Sequence, residues 1–180
     1  MIAVKVDRMV SKAIRRKLKS VAKNLDRAKV TATNRTLTGL VTYSSKTIRK
    51  DINVKAGDFK KKLKIHRARR GSAFGAIDVS GAHFPLAAMG ARTLKSGMVT
   101  AKPKKRGGRV RYKGAFIRNV GSGRHRGVFR RVGRSHLPIK ELWGPSMMNA
   151  WKYNERDFSR FATDRLSREL VHQIQYYRNK

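Results

Sequence analysis

Apolar positions recur every three or four residues along the first third of the chain. Val6, Met9, Val10, Ala13, Ile14, Leu18, Val21, Leu25, Ala28 and Ala32 keep this spacing, and Lys and Arg fill the faces between them. A period near 3.6 belongs to an amphipathic helix, so the pattern predicts a long N-terminal helix over about 6–50. Asp7 supplies a start signal and a negative charge near the positive helix end. Leu37, Leu40 and Val41 carry the pattern on, with Gly39 expected to kink or interrupt it and Ile48 and Ile52 extending a second helical piece. The favoured reading is a core-packing helix with a solvated basic face that also offers a subunit contact. A dedicated DNA-contacting helix is the alternative.

The period then changes. NVKAGDFKKKL (53–63) reads as a turn and a short helix, with Asp58 as its cap. Leu63 and Ile65 alternate with charged neighbours, and Phe74, Ala76, Ile77 and Val79 follow an Arg69-Arg70-Gly71-Ser72 turn, which signals an antiparallel hairpin. Phe84-Pro85-Leu86 opens another apolar run, and Pro85 argues for an edge or a connection there. Clearer strands lie at 115–120 and 128–132, joined by GSGRHRG. PIKELWGPSMMNAW, from Pro138, reads as two short helical turns divided by Gly144-Pro145. The last helix is capped by Asn154 with Asp157, and carries Phe158, Phe161, Ala162, Leu166, Leu170, Ile174 and Tyr177 as its apolar stripe. The expected fold is a single α+β domain over 1–180: a long N-terminal helix, a central antiparallel sheet of about four to six strands with hairpins, and a C-terminal helix.

Charge changes this picture more than any motif. Lys and Arg number 45 against 10 Asp and Glu, a net charge of +35. No Asp or Glu stands between Val79 and Lys140. So much like charge repels itself in a compact fold and suits contact with a polyanion. The densest run falls in a segment expected as a basic loop or arm, about 92–113. Lys102, Lys104, Lys105, Arg106, Arg109, Arg111 and Lys113 are its candidate nucleic-acid contacts, joined by Arg124 and Arg126 at the GSGRHRG turn. They would neutralise phosphates without reading sequence. No helix-turn-helix, zinc finger or ribonucleoprotein motif is present. GSGRHRG is no phosphate-cradling loop, because a strand and not a helix follows it.

Catalytic material is sparse. There is no Cys, which removes disulfides, thiolate metal sites and a Cys nucleophile, and fits a reducing interior. The five His are scattered without metal-ligand spacing, and Asp78 is the only acid of the central strands. The expectation is therefore no enzyme, no metal and no cofactor. No run approaches the ~20 apolar residues of a membrane span and no signal peptide is readable, so no membrane partner is expected.

GAFIRNVGSGRHRGVFRRVGRSHLPIKELWGPSM (114–147) resembles the minor tail protein Z family of lambda-like tailed phages, through its GAFI…VFRR…PIKELWGPS succession. Asn34-Arg35-Thr36-Leu37 and 54–63 are similar as well, so the likeness spans most of the chain. The resemblance implies a structural tail completion protein in the virion, assembled in the host cytoplasm. It implies a place at the head-proximal end of the tail and a role in head–tail joining. Other tail and neck proteins are the implied partners, with a homo-oligomeric ring, while nonspecific contact with the packaged genomic DNA is expected from the charge excess, which family membership alone does not demand. It carries no catalytic residues. Phe116, Val128, Phe129, Arg130, Pro138, Ile139, Leu142, Gly144 and Pro145 are implied as fold-defining or contact positions. A nonspecific nucleic-acid-binding protein outside any virion is the second reading, and a nuclease a distant third.

Overall fold

The computed structural model describes residues 8–121 and 125–179, with side chains from residue 15 onward. In chain order come α1 (Arg8–Asp51), α2 (Ala56–Lys60), β1 (Leu63–His66), β2 (Ala76–Val79), β3 (His83–Pro85) and a 3-10 turn (Leu86–Met89). Then follow β4 (Arg92–Thr93), β5 (Val99–Ala101), β6 (Val110–Tyr112), β7 (Ala115–Val120) and β8 (His125–Arg131). The chain closes with β9 (Ile139–Glu141), β10 (Trp143–Ser146), α3 (Met147–Tyr153) and α4 (Glu155–Arg178). The fold is α+β, with the long N-terminal helix and the C-terminal helix that the periodicity predicts. Its contacts gather into two compact units, Met1–Leu40 with Ile65–Ile77 and Ser159–Lys180, and Val41–Lys64 with Asp78–Phe158.

In the first unit, α1 buries small residues, Ala28 and Ala32 being fully covered. The helix runs unbroken through Gly39, so the two expected helical pieces are one. Gly39 is there for space: a Cβ would lie 2.5 Å from the Arg165 guanidinium carbon. Asn24 meets Tyr177, and Arg35 meets Glu169 further along α1. Numbers rise on α1 as they fall on α4, so the two helices run antiparallel. Asp7, the expected start signal, lies outside the described residues. Asn34 is the main polar clamp. Its Nδ2 donates to the Ala68 carbonyl at 3.0 Å, and the Ala68 N–H donates back to its Oδ1 at 2.9 Å.

The second unit holds the aromatic core. Phe59, Phe84, Met89, Val99, Val128 and Met147 are fully buried, each such side chain contributing about 1.5–3 kcal/mol by leaving water. Trp151 and Tyr43 both stand edge-on to Phe158, at 4.8 and 6.0 Å between ring centroids. In place of one central sheet, the described strands make four small ones: β1-β2, β3-β10, β4-β5-β6 and β7-β8-β9. Short apolar runs interrupted by Gly and Pro give strands of two to seven residues, too short for one broad sheet. The best-paired is the hairpin of β7 and β8, where Phe116 faces Phe129 and Ile117 faces Val128.

Three local expectations change. Residues 139–146 are strands and not helical turns, because β9 pairs with β8 and β10 with β3, and only 147–153 is helical. Asn154 serves both helices: its Nδ2 donates backward to Ala150 O at 2.9 Å at the end of α3, and its carbonyl accepts from Phe158 N–H at 3.0 Å at the start of α4. The expected cap is made by its backbone, while its side chain turns back to α3. Asp58 lies inside the first turn of α2, paired with Lys61 at 3.6 Å, and is not the cap.

Candidate nucleic-acid interface

All the described basic candidates belong to the second unit, Arg111 on β6, Arg126 on β8 and the others in the β5–β6 and β6–β7 connections. Segment 92–113 contributes three strands, with β5 between β4 and β6. Val99, Thr100 and Ala101 are buried, which anchors the segment in the core. The β5–β6 connection is clipped to the end of α1. Asn53 N–H donates to Pro103 O at 2.9 Å, Asn53 Nδ2 to Lys102 O at 3.0 Å, and Lys105 N–H to Asp51 O at 2.7 Å. Asp51 closes α1, where carbonyls lack intrahelical partners, so the basic connection also satisfies the helix end.

That clip displays Lys104, Lys105 and Arg106 to solvent, while Lys102 is half-buried. Lys104 and Arg106 line a cleft of about 580 Å³ whose walls include Ile48, Ile52, Pro145 and Tyr153. Tyr153 is 88% exposed, a flat apolar ring available beside two cations. Arg111 and Lys113 are exposed on and after β6. Between them, half-buried Tyr112 has its phenol pushed above the usual tyrosine range by burial. Arg109 is spent on the fold: its guanidinium donates to Thr100 Oγ1 and Thr100 O, both at 3.2 Å, and to Gly90 O. Arg126 is exposed on β8 opposite Asn119. Arg124 lies outside the described residues.

Sequence reasoning passed over other exposed cations. Arg118, Arg130 and Arg131 stand on the β7–β8 hairpin, with the Arg131 guanidinium 5.5 Å from the Phe116 ring centre. Strand alternation does not mark Arg118 or Arg130, since each lies two residues from an apolar side chain, Phe116 and Val128, and only their charge signals exposure. In the first unit, Arg35, Arg67 and Arg165 line a separate cleft of about 530 Å³ with Glu169. Glu169 accepts from Arg165 at 3.4 Å and pairs with Arg35 at 3.6 Å. No sequence signal marks that cluster, because its members are far apart in the chain.

The electrostatics follow from where the acids stand. Glu141 is the only carboxylate between Asp78 and Glu155, and it binds His125 Nε2 at 2.8 Å on the β7-β8-β9 sheet. Gly127 makes room for that pair, since a Cβ there would lie 2.8 Å from Glu141 Oε1 and 2.7 Å from the Phe129 ring. Among the described residues no group of three or more His, Asp or Glu could hold a metal ion, and no helix is long and apolar enough to cross a membrane. The arrangement offers cations for phosphate contact. No curated protein and no solved structure matches the chain. The model of prophage minor tail protein Z matches residues 9–179, nearly the whole length, and the chain belongs to that family.

Proposed function

We propose that this chain, a structural component of a phage tail, completes the head-proximal end of the tail and is needed to join it to the filled head. In this reading copies associate through helix and strand-edge contacts into a closed ring, alongside other tail and neck proteins. Basic residues of each copy face the end of the genomic DNA without reading its sequence. The observation that carries the DNA contact is the stretch from Val79 to Lys140, which has no acid. Lys104, Lys105, Arg106, Arg111, Lys113 and Arg126 are the exposed members of the set. Arg109 holds Gly90 and Thr100 instead. Lys102 contributes charge from the base of the connection.

Two measurements test the proposal. Affinity for duplex DNA should fall steeply with salt, and replacing Lys104, Lys105 and Arg106 by Gln should flatten the log–log slope by about 2–3, near 0.9 per lost phosphate contact. An unchanged slope would remove these residues from the interface. Microscopy of purified particles should place the protein at the head-proximal end of the tail in a ring beside genome density. A position at the tail tip would overturn the reading.

A further inference from the structure

We infer that the N-terminal part of α1 is a docking surface for an acidic amphipathic helix of another protein. Leu18, Val21 and Leu25 are 63%, 59% and 40% exposed. Steps of three and four put them on one face of the helix. Ala28 and Ala32 continue the same steps and are fully buried, so the stripe loses its cover toward the N-terminus. The cause is geometric. α4 runs antiparallel to α1, and its final turn reaches α1 at Asn24, whose Nδ2 lies 3.4 Å from Tyr177 O. Residues 8–23 continue beyond that point for about 24 Å, at ~1.5 Å per residue.

The width and flanks of the stripe identify its occupant. Positions 18, 21 and 25, with Ile14 before them in the sequence, follow the alternating four- and three-residue steps of a coiled-coil seam. A seam this narrow fits a second helix, whereas a helix lying on lipid presents a broader apolar face. Arg15 and Lys17 flank it, Lys19, Arg16 and Lys23 make the rest of that stretch of the helix cationic, and no carboxylate stands between Asp7 and Asp26. Two copies of this face would set cation against cation along the seam. Nor does α4 supply the complement, because Glu155, Asp157, Asp164 and Glu169 alternate there with five arginines. Nucleic acid would neutralise the flanks but leave the apolar residues in water. The matching surface is a helix with Leu, Ile or Val at the seam and Glu or Asp beside it. This inference stands apart from the DNA contact proposed above, and either can fail alone.

The test uses the whole protein and fluorescence anisotropy with defined probes: a 28-residue peptide with Leu at seam positions and Glu on the flanks, its scrambled counterpart, duplex DNA, and phosphatidylglycerol vesicles. The ordered peptide should bind at least about tenfold more tightly than the scrambled one. L18S/V21S should lose about tenfold or more in peptide affinity while keeping its thermal midpoint and its DNA affinity, since both side chains are exposed. R15E/K17E, at two exposed positions that flank the seam, should lose the peptide as well and guards against a misfolded first variant. Equal binding of the scrambled peptide, or full affinity in both variants, would overturn the proposal. So would vesicle binding that vanishes in L18S/V21S, which indicates a lipid surface, or a wild-type dimer in sedimentation that this variant abolishes, which indicates a second copy.

Discussion

Gly127 and Gly39 answer the same substitution in opposite ways. At Gly127 an added Cβ meets the Phe129 ring at 2.7 Å and Glu141 Oε1 at 2.8 Å, two groups fixed by core packing and by the His125 contact. Gly127→Ala is expected to cost about 1–3 kcal/mol by overpacking, read from the urea midpoint. At Gly39 the obstacle is the end of the Arg165 side chain, which can swing aside. Alanine also gains up to about 1 kcal/mol of helix propensity, so Gly39→Ala should stabilise slightly, and a loss above ~1 kcal/mol would show that Arg165 cannot move. The facing rings of β7 and β8 differ in the same measurable manner. Phe129 is 6% exposed, and its replacement by Ala should cost about 3–5 kcal/mol. Phe116 is only half-buried under Arg131, and the same change should cost about 1–2 kcal/mol. Equal losses in equilibrium unfolding would contradict that ordering.

Elements here are tied by side chains that imitate a backbone. The Asn34 amide pairs with both polar groups of Ala68, a residue 4% exposed, and so holds the β1–β2 connection to α1. Removing it leaves a buried N–H and C=O without partners, so Asn34→Ala should cost about 2–3 kcal/mol. Asn34→Asp should fare little better, because a carboxylate cannot donate to the Ala68 carbonyl; a tolerant Asp variant would mean that only the N–H bond matters. The helices and the β7–β8 hairpin were legible in the sequence because local periodicity specifies them. The strands after Pro138 were not, since their partners lie on β8 and β3 and only tertiary pairing selects strand over helix there. Asn154 was legible as the start of α4, but not as the end of α3, because its side-chain bond to Ala150 depends on a helix end the sequence did not mark there. Composition marked the basic cluster as a candidate, but not the use of Arg109 on Thr100, which depends on the β5–β6 register.

At the scale of the molecule, the charge is almost wholly uncompensated by the protein itself. With 10 Asp and Glu against 45 Lys and Arg, pairs between elements such as Arg35–Glu169 and His125–Glu141 can engage only a minority of the cations. Closing such chains into a ring raises the self-repulsion further, and a polyanion beside the basic residues offsets it. Assembly should therefore depend on ionic conditions: rings measured by sedimentation should form more readily with short duplex DNA or at raised salt than in dilute buffer. An equal yield in all three would separate oligomerisation from charge. The scarcity of internal counter-charges also bears on the newly made chain. Before a tail exists to receive it, the polypeptide emerges among ribosomal and messenger RNA, and cellular RNA should coat it as a temporary escort. Protein isolated at low ionic strength should carry ultraviolet absorbance at 260 nm that nuclease or strong brine strips away. With the DNA contact proposed above, entry into the virion would exchange one polyanion for another.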